Sequence, residues 1–391
     1  MPSSIFLLIA CQAILMSAMS MLIASSSLVG ASLASDPALA TVPFGAQFLG
    51  MALTTYPASM LMSRVGRRTG FLIGSAIGFC GAAICTYAVI HTSMELFVLG
   101  SFLVGSYNGV GQYHRFAAAD AVTGPGAAKA ISWVVAGGIA AAFIGPNLAR
   151  YTRDAWPEYL YAGVFVTLMV LTALSAFAYL FLRLPQVNEK THEGEGRPLS
   201  TIAIQPTYVV AVVAATLGYG VMNLLMAATP LAMAGSGHAF DDSAFVIQWH
   251  IVAMFLPGFF TGQFINRFGV LKVMATGVVA VLLTVAINLG GDGFWNYWSA
   301  LVLLGVGWNF LFVSGTFLLT KSYDPQEKAR AQGLNDLLVF GTVTFTAFGS
   351  GAILYWAGWQ SVNLGVLPIL AVIVAAIVWL WSVNRRSPVD V

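Results

Sequence analysis

Charge is what this chain has least of. Of 391 residues, 8% are Asp, Glu, Lys or Arg, where a water-soluble domain carries about 25%. A globular fold solvated on all sides is therefore excluded. Cysteine is scarcer still, and Cys11, Cys80 and Cys85 all lie in apolar stretches of the first half, so no disulfide framework is expected and the thiols read as small buried hydrophobes. A net charge of +2 offers no field for nucleic acid. Nor does a basic region precede the first apolar run, which continues past any small-residue cleavage site and so reads as a first helix and not a removed signal peptide.

What is present is apolar surface: 58% of the residues and a mean hydropathy of +0.83. About 20 predominantly apolar residues cross the hydrocarbon of a bilayer. Twelve such stretches occur, near 4–30, 38–63, 70–91, 95–115, 127–149, 157–182, 204–232, 243–265, 270–290, 295–320, 329–355 and 361–383. The expectation is an all-α membrane protein of twelve transmembrane helices with no soluble domain. Alternate connections hold 15 of the 17 Lys and Arg residues, and the opposite ones hold only Arg150 and Arg153. The positive-inside rule then puts both termini in the cytoplasm.

The longest polar stretch, Pro185 to Ser200, divides the helices six and six. It gives an amino-terminal bundle at 1–183, a cytoplasmic linker at 184–203 and a carboxy-terminal bundle at 204–391. The loop Ser59-Met-Leu-Met-Ser63-Arg64-Val-Gly66-Arg67-Arg68 aligns with Gly262-Gln-Phe-Ile-Asn266-Arg267-Phe-Gly269 at an offset of 203 residues. Two halves so related resemble the major facilitator superfamily, whose signature between helices 2 and 3 is Gly-x-x-x-Asp-Arg-x-Gly-Arg-Lys/Arg, although Ser59, Ser63 and Asn266 replace its Gly and Asp positions. That resemblance implies two six-helix bundles rocking around a midplane site. Gly105, Gly109, Gly111, Gly137, Gly138 and Gly145-Pro146 read as close helix packing.

Two further patterns carry chemistry. Met222-Asn-Leu-Leu-Met226 lies in the seventh stretch and His250-Ile-Val-Ala-Met254 in the eighth. At helical spacing i and i+4 side chains share a face, and thioether and imidazole suit monovalent copper, whereas hard cations want oxygen ligands. Fourteen Met and five His give about 0.5 Met-x-x-x-Met and about 0.2 His-x-x-x-Met by chance, so neither pattern persuades alone. Their depths match: with the seventh helix running outward and the eighth inward, Met226 and His250 share one level and Met222 and Met254 the next. An ionisable group inside a membrane segment is a functional candidate by default.

This pair of motifs resembles the CcoA-like copper importers, a bacterial branch of the superfamily, and Gln112-Tyr-His-Arg115-Phe-Ala-Ala-Ala-Asp120 is similar to its helix 4–5 region. The resemblance implies Met222, Met226, His250 and Met254 as metal-binding residues. It implies copper, as Cu(I), as transported substrate, with no resident cofactor. It further implies import across the bacterial cytoplasmic membrane for haem-copper oxidase assembly, with the bilayer and copper chaperones as partners of a monomer. A paired cysteine role across the halves is not expected, because no cysteine follows Cys85.

The competing reading is a carrier of a small organic solute such as a vitamin or drug. Trp249, Tyr219, Asn223 and Gln248 would then line the pocket and the Met residues only pack; some relatives carry flavin and lack the metal motifs. The Met, His and Asp residues of the outer loop Pro230 to Asp242 could capture copper first or form a solvated turn. At the cytoplasmic side Arg64, Arg67, Arg68 and Arg115 are candidate gating cations, with Asp120 and Asp336 as their acidic partners. Nothing in the fourth stretch supports the usual proton-coupling motif.

Overall fold

Long uninterrupted apolar runs with Gly and Pro at their ends can satisfy their backbone only as helices once water is absent. A computed structural model describes residues 3–121, 126–184, 196–324 and 326–386, and among these no strand occurs. Most of the expected linker, Lys190 included, lies outside the described residues. In chain order the α-helices are α1 Ser3–Leu33, α2 Val42–Val65, α3 Arg67–Ile90, α4 Met94–Gly111, α5 His114–Asp120, α6 Gly126–Thr152 and α7 Ala162–Leu180. Then follow α8 Leu199–Ala203, α9 Pro206–Gly235, α10 Phe240–Phe255, α11 Gly258–Phe268, α12 Val270–Leu289, α13 Phe294–Thr320, α14 Lys328–Leu364 and α15 Val366–Arg386.

Among the described residues eight helical stretches are long and apolar enough to span a bilayer, or nine if α10 and α11, bent by 42°, count as one. That count takes Arg330–Arg385 as a single piece, although α14 turns sharply at Gly358, where φ is 77°, before α15 begins. With α14 and α15 separated, and with α4 and α6 included, every one of the twelve expected stretches is helical. The chain is an integral membrane protein of twelve spanning helices. The eighth differs in detail: its continuous apolar run predicts one rod, but Pro257 has no N–H to continue α10, so α11 starts afresh.

Contacts separate the chain into two units. One contains the described residues up to 184 together with Ala239–Gln248 and Ala347–Ala352; the other contains 196–238, 249–346 and 353–386. In the first, glycines let backbones touch. A Cβ on Gly105 would collide with the Gln47 carbonyl and one on Gly50 with that of Phe102, while Gly145 packs against Ser17. The glycines of the fourth and fifth stretches are thus packing residues, as expected. The second unit repeats the device where Gly277 and Gly307 join α12 to α13.

The internal repeat is visible in backbone geometry. Gly66 ends α2 with φ 83° and ψ 153° and opens α3, and Gly269 ends α11 with φ 87° and ψ 147° and opens α12. An L-residue would be strained at either. The two glycines are separated by the offset read from the sequence.

Candidate functional site

All four motif residues lie in the second unit and none faces lipid: Met222 is 1% exposed, Met226 2%, His250 0% and Met254 7%. Helix α13 gives their depth. Running against it, α9 places Gly218 on Leu311, the Tyr219 ring on Trp308 and Phe312, and Ser236 on Tyr297. Eight residues beyond Gly218, Met226 therefore stands near Leu303 and Leu304, and Met222 near Trp308, at about 1.5 Å per residue. On a neighbouring face of α13, the His250 imidazole reaches the Leu301 carbonyl and its own carbonyl abuts Gly305. The Met254 carbonyl accepts from Asn309 Nδ2 at 2.7 Å. Met226 and His250 therefore share one level, and Met222 and Met254 the next.

The His250 ring is oriented by one bond. Nδ1–H donates to the Leu301 carbonyl at 2.7 Å, which leaves Nε2 as a lone-pair acceptor, buried and without a hydrogen-bond partner. A backbone carbonyl behind one ring nitrogen is how proteins fix an imidazole for a ligand on the other. The same bond would equally present Nε2 to an N–H or O–H of an organic solute.

The second unit also holds an aromatic cluster where α9, α10 and α13 meet. Trp308 stacks on Phe312 at 5.1 Å and 10°, Tyr219 meets Trp308 edge-on at 5.2 Å, and Phe255 closes the far side at 6.2 Å. Trp308 Nε1 and Asn223 Oδ1 are buried without partners, although Asn223 Nδ2 donates to the Val343 carbonyl and Thr346 Oγ1. Of the residues expected for an organic solute, Tyr219 belongs to this cluster, and Asn223 lies one turn further along α9, bonded to α14. Gln248 does not: it accepts from Asn147 at 2.9 Å in the first unit. Trp249 meets Trp298 at 6.3 Å. Sequence reasoning missed Trp308, the Leu301 carbonyl and Asn309, because α13 carries no spaced motif of its own. Asn309 holds the α10–α11 bend, donating to Met254 and accepting from Thr261 Oγ1 at 2.6 Å.

The outer loop is engaged elsewhere. His238 bonds the Asp292 carbonyl, Asp241 pairs with Arg150 at 2.7 Å, Asp242 receives the Ala239 N–H, and Met233 is fully buried. It is a structured turn. At the end carrying the basic loops, Arg67 and Asp120 form a close, largely buried ion pair. Arg115 lies over the Phe116 ring at 4.8 Å, Arg64 and Arg68 are exposed, and Asp336 accepts from Asn335. In the second unit Arg197 reaches Glu327 by its main-chain N–H, Nε and Nη2, and Asp324 N–H adds a fourth donor. These donors, the Arg197 side chain foremost, hold the Glu327 carboxyl down to about 2.

Comparison with known proteins follows the fold. A family model described as Major Facilitator Superfamily matches residues 5–256. The riboflavin transporter RfnT of Brucella anthropi (strain ATCC 49188) is 40% identical over 377 residues, covering 96% of this chain and 95% of that one. The uncharacterised MFS-type transporter YdeG of Bacillus subtilis (strain 168) is 27% identical over 90% of this chain and 86% of its own. Among solved structures, the nucleoside transporter NupG superposes with a TM-score of 0.72 at 14% identity, covering 97% and 99% of the two chains. A bacterial homologue of the lysosomal transporter Spinster, inward-facing and unoccupied, gives 0.74 at 13% identity, over 98% and 96%. Twelve helices, a repeated glycine turn and these likenesses agree: the chain is a secondary transporter that belongs to the Major Facilitator Superfamily.

Proposed function

We propose that this transporter carries a planar, aromatic, riboflavin-like vitamin across the bacterial cytoplasmic membrane, inward and by alternating access. One observation carries the reading: identity of 40% runs through 96% of the chain to a relative whose name is riboflavin transporter. The sequence motifs favoured the copper-importing branch, and this relationship favours the organic solute instead. The chemistry of the second unit supports it. Trp308, Phe312 and Tyr219 offer ring faces, and Trp308 Nε1–H, Asn223 Oδ1 and His250 Nε2 offer one buried donor and two buried acceptors. Aromatic side chains with a few polar atoms are the usual composition of a small-molecule site.

The repeat also weakens the metal argument. At the offset of 203, His250-x-x-x-Met254 corresponds to Gln47-x-x-x-Met51. Met therefore recurs at that place beside a carboxamide, which is no soft-metal ligand.

Cu(I) import stands as a second reading, favoured by the lone pair on His250 Nε2 and the two Met pairs at matched levels. Both readings keep the termini in the cytoplasm by the positive-inside rule. Expression in a bacterium unable to make riboflavin separates them. Growth on low external riboflavin should be rescued, should survive Met222→Leu with Met226→Leu, and should fall with Trp308→Leu. No rescue by correctly inserted wild type, together with copper accumulation that the Met pair controls, overturns the vitamin reading.

A further inference from the structure

Polar atoms buried in a membrane protein without partners cost several kcal/mol each, so a pair of whole carboxamides left unpaired demands a reason. In the first unit Gln47 and Asn108 are each 1% exposed, and Nε2, Oε1, Nδ2 and Oδ1 all lack hydrogen-bond partners. The two residues stand on α2 and α4, which touch along this stretch. The Gln47 main chain presses on Gly105 of α4 so closely that a Cβ there would collide with its carbonyl. Asn108 follows Gly105 by one helical turn, a rise of about 4.5 Å. On the same contact Gly109 packs against Met51. Two donors and two acceptors are thus held within about one turn by two helices whose backbones touch.

Gln47 also occupies a meaningful place in the repeat. The offset that superimposes Gly66 on Gly269, both with φ above 80°, superimposes Gln47 on His250 and Met51 on Met254. The packing is similar, although the two glycine partners are 200 and not 203 residues apart. The Gln47 carbonyl sits on Gly105 of α4, and the His250 carbonyl sits on Gly305 of α13. Each unit therefore presents one fully buried polar side chain with an unpaired atom at the same place of its own bundle, and no motif search on metal ligands would select the first.

Resting on the vitamin reading above, we infer that Gln47 and Asn108 form a hydrogen-bonding subsite of the first unit for the imide edge of a planar heterocycle. Such an edge alternates carbonyl, N–H and carbonyl. A carboxamide is its complement, because it accepts from the N–H through oxygen and donates to the adjoining carbonyl through nitrogen. The subsite carries no formal charge, so a neutral ring edge fits it, and Cu(I), which prefers thioether and thiolate, does not. Sites built to pair a substrate N–H reject the analogue that lacks it, because the site's own polar groups are then left unpaired.

Methylation of the ring imide nitrogen removes that N–H, so the probes are riboflavin and N3-methylriboflavin. Their uptake is compared in vesicles holding the full-length protein, as wild type, Gln47→Met and Gln47→Glu. Wild type should prefer riboflavin by about tenfold or more. Gln47→Met, similar in volume and apolar, should lose about tenfold on riboflavin and almost nothing on the methylated compound, which collapses the preference. Gln47→Glu keeps an acceptor for the N–H and should retain part of it. Equal losses on both compounds in both variants would mean a structural role and overturn the subsite. So would a wild type that transports riboflavin without distinguishing the two, although the vitamin reading would then stand. If wild type transports neither compound, that reading fails and the subsite with it.

Discussion

Gly305→Ala should damage this transporter through a displacement whose size the structure sets. A Cβ at Gly305 would stand 2.7 Å from the His250 carbonyl oxygen, 2.9 Å from Ala253 Cβ and 3.0 Å from Met254 N. Ordinary contact begins near 3.4 Å, so α10 would have to withdraw by about 0.7 Å, a distance no flexible side chain can absorb because the obstacles are main chain and Cβ. Overpacking of this kind costs about 1–3 kcal/mol, five- to about 150-fold in an equilibrium at 1.4 kcal/mol per tenfold. The same withdrawal would stretch the 2.7 Å His250–Leu301 bond beyond the N–H···O range, which ends near 3.2 Å, and release the imidazole. Two readouts follow: thermal unfolding monitored by a thiol-reactive dye that reports exposure of buried Cys11 and Cys85, and uptake in vesicles. Gly262→Ala on α11 is the control, since its Cβ meets nothing within 4 Å. If Gly305→Ala matches Gly262→Ala in both readouts, the contact between α10 and α13 does not organise the site.

Asn309→Leu should leave the buried Met254 carbonyl without its donor at the α10–α11 bend, while the Thr261 hydroxyl keeps its bond to the Pro257 carbonyl; at about 1–3 kcal/mol for the unpaired carbonyl it should lower the unfolding temperature more than Asn223→Leu, and equal shifts would contradict the clamp. Arg67→Gln and Asp120→Asn break one ion pair, so the double variant should lose little more than either single variant in uptake; additive losses would show that the two side chains act apart. Because Glu327 titrates near 2 when folded, below its ordinary 4.5, its bond to Arg197 stabilises the protein fully above about pH 4.5 and fades only as pH falls toward 2. Glu327→Gln should therefore lower thermal stability by the same amount at pH 5 and pH 8, and a loss confined to one end of that range would refute the assignment.

Twelve helices and the offset between the glycine turns were legible because the bilayer leaves the backbone few options and charge marks the connections. The glycine turns at Gly66 and Gly269 preserve that repeat in φ and ψ. The level of Met222, Met226, His250 and Met254 was also legible, since helical rise is fixed. What they face was not: α13 supplies Leu301, Gly305, Trp308 and Asn309, and these partners come from packing that no spacing along one helix encodes. The bend at Pro257 was hidden by an apolar run that continues through it. Motif spacing and matched depth favoured copper because they weighed the ligands on two helices without their partners on α13, and Gln47 escaped notice although the offset already placed it on His250.

The central claim is the identity of the cargo, and a single flux experiment tests it. Purified protein in sealed vesicles is offered radiolabelled riboflavin and, in parallel under reducing conditions, radiolabelled Cu(I). The account predicts saturable riboflavin uptake, displaced by unlabelled riboflavin and unaffected by copper, and lost in Trp308→Leu but not when Met222 and Met226 are both Leu. Saturable copper uptake that those two methionines control, with no riboflavin flux, would contradict it.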